Sequence, residues 1–254
     1  MDRHALKSSF NLKHEANWNC PTCRKGVLRI RRDTFFSDER KHSRNHDQPG
    51  WEPEWIESVY SCLMDCSNEH CKEVVASSGT GFLDSDIVLD GNGCPEQVYE
   101  ERFRPKHFQP HLKIFEIPRK CPESVAKPLN DSFALFFSAP HAASNNARIA
   151  IEALLTELGV PRVDMAGKNK GGFIPLQRRI NLLPPEYEAL KNMFSAVKWL
   201  GNAGSHEGSM EMTTDDVLDS YQIVEHILQE IYAPRLKEIL QLTEKIIKHK
   251  GPAK

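Results

Sequence analysis

The stretch Asn17-Trp18-Asn19-Cys20-Pro21-Thr22-Cys23-Arg24-Lys25-Gly26 decides how the first part of this chain is built. A Cys-Pro-x-Cys turn brings two thiolates to one side of a tight backbone, and the glycine that follows relieves it. A second pair, in Cys66-Ser67-Asn68-Glu69-His70-Cys71, begins 43 positions after Cys23. Two turns offering two sulfurs each make the tetrahedral thiolate set that structural zinc prefers, with no coordination position left for a substrate. Cys20, Cys23, Cys66 and Cys71 are the expected ligands of a structural Zn2+. Cys62 and His70 are rival donors for the second pair, and the plain alternative is reduced, partly buried cysteine without metal. Cys94 and Cys121 stand alone and read as small apolar residues.

Around the first pair the sequence is of strand type. Val27-Leu28-Arg29-Ile30-Arg31-Arg32 reads as a strand with one basic face, and Trp55-Ile56-Glu57-Ser58-Val59-Tyr60 as another. The residues between, 38–54, are polar, hold proline and glycine, and read as a long loop. Residues 77–100 offer only glycines, aspartates and the short apolar run Ile87-Val88-Leu89. Pro105, Pro110, Pro118 and Pro122 then preclude a long helix, and the interleaved Phe103, Phe108, Leu112, Ile114, Phe115 and Ile117 predict an extended arm packed on a surface.

From Glu123 the period becomes helical. Helices are expected over Glu123–Phe137 and Asn145–Leu158, the second with Ile149, Ala153 and Leu154 on one face, an Arg148–Glu152 pair at i,i+4 and Gly159 as its stop. Residues 161–175 form a basic, glycine-rich loop. Pro184 and Pro185 open a third helix that runs to about Leu200. Thr213 or Thr214 caps a fourth, with Asp215 and Asp216 in its first turn, and Val217, Tyr221, Val224, Leu228 and Ile231 recur at helical spacing. Pro234 opens a last helix carrying Ile239, Leu240, Leu242, Ile246 and Ile247. The predicted class is therefore α+β: a small β-rich, zinc-ribbon-like module at 1–100, a proline-rich extended arm at 101–122, and an all-α bundle at 123–254.

Composition bounds the function. With 254 residues, 39% hydrophobic and 27% charged, the chain is globular. No apolar run approaches the roughly 20 residues of a membrane span, which excludes an integral membrane role by helices. The seven cysteines are an odd number, and the first residues lack the apolar core of a secretory signal. Metal or free thiols are expected rather than a disulfide framework, and a cytoplasmic location. The net charge of −2 is unevenly spread: residues 1–50 carry +5, 51–100 carry −10, and the remainder +3. That asymmetry fits either a basic face for nucleic acid or two halves of one module that neutralise each other.

Lys198-Trp199-Leu200-Gly201-Asn202-Ala203-Gly204-Ser205-His206, followed by Asp215-Asp216-Val217-Leu218-Asp219, is distinctive. Together with Ala147-Arg148-Ile149-Ala150-Ile151-Glu152-Ala153-Leu154-Leu155, the arm Pro110-His111-Leu112-Lys113-Ile114-Phe115 and the CPxC start, it resembles the bacterial and phage family known as domain of unknown function 4145, over most of residues 17–232. That family resembles HEPN domains. The resemblance implies a helical bundle that dimerises, a setting in phage or mobile-element defence, and, in the RNase members, an Arg-Asn-x-x-x-His motif. Asn202 and His206 match the last two motif positions, and Gly201 stands where the arginine would be. In such RNases the arginine steadies phosphate charge while the histidine moves protons. The missing cation favours a binding role over catalysis by His206 and Asn202. Arg148, Lys168, Lys170, Arg178, Arg179 and Lys198 are the candidates for a nucleic-acid or partner-binding rim. The plainer alternatives are a helix-end histidine, a surface ion pair for Arg148 and a solvated basic loop. Trp199 and Tyr221 read as core. Expected partners are RNA or DNA, another defence protein and a second copy of the chain, with no membrane. The expected function is a non-catalytic binding module, with a metal-independent RNase and a protein–protein scaffold as alternatives.

Overall fold

The computed structural model describes residues 1–89, 91, 93–165, 170–203, 212–233 and 235–251. It divides into two compact units, Asp2–Lys113 and Ile114–Lys254.

The first unit is a curled antiparallel sheet of five strands, β1 (Leu28–Ile30), β2 (Phe36–Glu39), β3 (Glu57–Cys66), β4 (Val74–Leu89) and β5 (Pro95–Gln109). β3 is central: β1 and β2 pair with one of its edges and β4 with the other, and β5 follows β4. Strict period-2 alternation puts Ser58, Tyr60, Cys62, Met64 and Cys66 on the inner face of β3. An aromatic cluster fills that face. Phe10 meets Trp18, Tyr60 and Phe103 with ring centroids 5.3, 5.4 and 5.6 Å apart. The Trp18 indole donates to the Ala5 carbonyl at 2.9 Å, which satisfies its one polar atom in the core.

Three expectations for this half are corrected. Phe36–Glu39, partly assigned to a loop, is a strand. Residues 77–100 contribute to the longest hairpin of the chain, 16 residues in β4 and 15 in β5. The stretch 101–122 is not one arm: residues 101–109 complete β5, with Phe103 and Phe108 buried in the sheet's core, while Ile114 and Phe115 belong to the second unit. Prolines did not prevent the strand because β5 is an edge strand, where a missing N–H breaks no ladder. Pro105 pairs with Gly79 where the register slips by one residue.

The second unit is helical: α1 (Glu123–Leu135), α2 (Pro140–Glu157), α3 (Leu176–Asn181), a 3₁₀ segment Pro185–Leu190, α4 (Lys191–Ala203), α5 (Thr214–Tyr232) and α6 (Arg235–His249). α2 is the hub, packed against α1, α4 and α5. Phe115, Phe133, Phe136 and Tyr221 form one buried aromatic group, and the Tyr221 hydroxyl lies 2.7 Å from that of Ser132. Thr213 caps α5 through a reciprocal pair: its hydroxyl accepts from the Asp216 N–H at 3.3 Å, and the Asp216 carboxylate accepts from the Thr213 N–H at 2.8 Å. The expected third helix begins as the 3₁₀ segment, and the loop before it leads into the unanticipated α3. Trp199, expected in the core, is 64% exposed, whereas Tyr221 is fully buried.

Candidate metal centre

Two turns of similar construction flank the base of the sheet. In the first, the Arg24 N–H donates to the Cys20 carbonyl at 3.0 Å and the Cys20 N–H to the Gly26 carbonyl at 2.9 Å. In the second, the Lys72 and Cys71 N–H groups donate to the Asn68 carbonyl at 3.2 and 2.8 Å, and the Cys66 N–H to the Glu73 carbonyl at 2.9 Å. In each turn the residue after the second cysteine is left-handed, Arg24 at φ 55° and Lys72 at φ 53°. β1 and β3 bring the turns together, with Leu28 opposite Cys66.

The four cysteines named from the sequence lie in one group, every sulfur within 4.8 Å of the others. The Cys20 and Cys71 sulfurs are 3.8 Å apart, and those of Cys23 and Cys66 are 3.6 Å apart. Sulfurs set tetrahedrally at about 2.3 Å from a zinc ion lie about 3.8 Å from each other, so the spacing fits a four-thiolate metal site. No disulfide competes for these residues: none of the seven cysteines is bridged to another.

N–H donors point at two of the four sulfurs. The Gly26 N–H points at the Cys23 sulfur (3.4 Å), the Asn68 N–H at the Cys66 sulfur (3.4 Å) and the Asn68 amide at the Cys23 sulfur (3.7 Å). The backbone donors of Gly26 and Lys25 hold the Cys23 thiol down at about 6, whereas burial pushes the Cys66 thiol up. Asn68 went unnoticed in the sequence because its role depends on two turns meeting. Gly26 is packed against the site: a Cβ there would lie 2.5 Å from the Cys66 sulfur and 2.8 Å from the Asn68 nitrogen. The rival donors stand apart from this group. Cys62 lies on the inner face of β3, where burial raises its thiol to about 11, and His70 is exposed.

Among the described residues, four of the candidate rim side chains of the helical unit are paired or buried. Arg148 pairs with Glu152 at 2.6 Å. Arg178 pairs with Asp164 at 3.2 Å. Arg179 is corrected from rim to core: it is 3% exposed and donates to the Glu152 carbonyl, the Thr156 hydroxyl and the Val160 carbonyl at 3.1, 2.8 and 3.2 Å. Lys198 is buried, donates to Gln177 at 2.7 Å and sits 3.8 Å from the Trp199 ring centre. Lys170 is exposed. Asn202 lies half-buried in the last turn of α4, while His206 and Lys168 lie outside the described residues. The place of the motif arginine has a structural occupant. A Cβ on Gly201 would come 2.6 Å from the Cβ of Arg148, so the two helices approach through the glycine and the arginine stem crosses it.

No helix among the described residues is long and apolar enough to cross a membrane. Residues 8–108 match the family model of a domain of unknown function, DUF8608, and residues 130–250 match that of another, DUF4145. The resemblance to DUF4145 drawn from the sequence thus holds over residues 130–250, while residues 8–108 match a separate family. No curated protein and no solved structure matches the chain.

Proposed function

We propose that this chain is a non-catalytic binding protein, with a zinc-ribbon-like first unit stapled by a structural Zn2+ and a HEPN-like helical second unit. The carrying observation is the set of four sulfurs within 4.8 Å of one another. Cys20, Cys23, Cys66 and Cys71 would fill the tetrahedron, and bound zinc would supply cross-linking between two turns of a small sheet rather than Lewis acidity. The partner is protein rather than nucleic acid. Arg148, Arg178 and Lys198 already have partners and Arg179 is buried, so among the described residues Lys170 alone of the expected phosphate-contacting rim is exposed outside such a pairing.

Metal analysis of protein purified without added metal, together with a titration of single-stranded RNA and duplex DNA at low salt, tests both parts. The expected result is about one zinc per chain and no RNA or DNA binding with a steep salt dependence. Absence of zinc, or tight binding that weakens steeply as salt rises, overturns the corresponding part.

One observation favours the RNase reading. The stem of Arg148 lies against Gly201, the residue before Asn202, while its guanidinium pairs with Glu152 on the same helix. In that reading His206 moves the proton and Arg148 steadies the phosphate. RNA cleavage by the wild-type chain that is lost in both His206→Ala and Arg148→Ala would establish it. No cleavage by the wild type removes it.

A further inference from the structure

Along one edge β5 pairs with β4, and along the other, among the described residues, it meets the chain at one bridge only. There the Phe103 N–H donates to the Phe10 carbonyl at 2.8 Å and the Phe10 N–H to the Phe103 carbonyl at 3.0 Å. The backbone groups of Phe103 therefore point away from β4. The register runs without a shift from Pro95 to Arg104, so alternation makes the N–H and C=O groups of Glu101, Tyr99 and Gln97 point the same way. Past Phe10 the N-terminal segment leaves the edge through a turn in which the Asn11 side chain accepts from the Lys13 and His14 N–H groups. Gln97, Tyr99 and Glu101 are exposed, and a row of outward backbone donors and acceptors is a template for a further strand.

The charge beside this edge has one sign. Residues 83–101 hold six acids and no lysine, arginine or histidine. Glu96 and Glu100 lie on one face, opposite Val88 and Asp84. Glu101 lies on the other, where the Glu54 carboxylate also stands, 3.5 Å from the Gln97 amide. Arg102, the next residue, pairs with Asp84 and Glu100 at 3.0 and 3.2 Å. The segment that carries the Phe10 bridge brings a second base to the same place: the Lys13 ammonium, on a side chain 80% exposed, is 4.0 Å from Glu100.

We propose that the edge from Gln97 to Glu101 docks an extended lysine- or arginine-rich segment of a partner protein, which adds to β5 as an antiparallel strand. The inference rests on the protein-binding reading above and names the class of partner. Backbone pairing places the strand, and the antiparallel Phe10 bridge sets the pattern that it continues. Charge selects its sequence. Directly opposed residues share a face, so bases opposite Glu96, Glu100 and Glu101 each meet a carboxylate. A second copy would set one base-free acidic segment against another, and nucleic acid would bring phosphates to it.

Fluorescence anisotropy of a labelled peptide, Lys-Lys-Val-Thr-Val-Lys-Thr, titrated with the full chain at low salt, tests this. Its lysines fall opposite Glu101, Glu100 and Glu96. Saturable binding with a dissociation constant of about 100 µM is expected, and at least about tenfold weaker binding of the same peptide with glutamate for lysine. Glu96→Lys should weaken binding at least about threefold. Tyr99→Pro removes an outward N–H and no bond to β4, and it should weaken binding at least about fivefold, whereas Tyr99→Thr, which lacks the ring but keeps the N–H, should change it less than about twofold. No binding at about 300 µM chain, equal binding of the glutamate peptide, or a Tyr99→Pro variant that binds as well as Tyr99→Thr overturns the proposal. A chain that holds zinc and binds neither nucleic acid nor this peptide loses the docking edge alone. Tight RNA or DNA binding that weakens steeply with salt removes the protein-binding reading instead.

Discussion

The side chain of Arg148 lies across Gly201, its Cβ 2.6 Å from the point where a glycine Cβ would stand. Glycine inside a helix normally costs about 1 kcal/mol relative to alanine. Here it is retained because α2 and α4 meet at this point, and the obstructing atoms belong to the stem of the arginine, close to its backbone. Gly201→Ala should therefore destabilise the chain by about 1–2 kcal/mol, the overpacking cost exceeding the gain in helix propensity. Urea denaturation of the pair of proteins measures it, and a more stable alanine variant would refute the close approach.

Gly26 stands in the same relation to the Cys66 sulfur. Gly26→Ala should displace a metal ligand and weaken metal retention, so that zinc leaves at lower chelator concentration than in the wild type. A competition titration with a chromophoric chelator reads this directly. Cys66→Ser should abolish retention, and Cys62→Ser, on the inner face of β3, should retain the metal. Equal metal content in Cys66→Ser and the wild type would exclude the four-sulfur site.

Arg179 and Arg178 are neighbours in sequence with opposite settings. Arg179→Met removes a buried cation and strands the acceptors it serves, the Glu152 and Val160 carbonyls among them. A loss of about 2–4 kcal/mol is expected in thermal or urea unfolding. Arg178→Met removes only an ion pair whose arginine side chain is 60% exposed, and stability should move by no more than about 0.5 kcal/mol.

Arg31 holds Asp65 in a two-point contact, with distances of 3.0 and 2.5 Å. That hydrogen bonding keeps the Asp65 carboxyl below the usual carboxylate range. A carboxyl lowered in the folded state contributes stability above its unfolded value, and that contribution is lost as pH falls through the folded one. Both groups are half-exposed, so the effect is small. The melting temperature of Arg31→Ala should lie slightly below that of the wild type at neutral pH, and the two should converge below about pH 4. A constant gap down to strongly acid pH would show that Arg31 acts by packing instead.

Local chemistry was legible in the sequence wherever one turn or one helical period carried the information. The four cysteines could be named from their spacing, the cap of α5 narrowed to Thr213 or Thr214 from the acids that follow, and the helical half read from its apolar period. The β4–β5 hairpin was hidden because its outer part, beyond the end of β3, alternates acid with apolar residues, and because prolines on an edge strand look like breaks. Which way a side chain points was a tertiary decision. Cys62 and Cys66 are both inward on β3, yet only Cys66 reaches the end of the strand where the other turn arrives. Arg178 and Arg179 read alike as basic loop residues until α3 turned one to water and the other into the core. Sequence period fixes the alternation of faces, while the long-range contacts that decide which face is covered arise only when distant segments pack and exclude water.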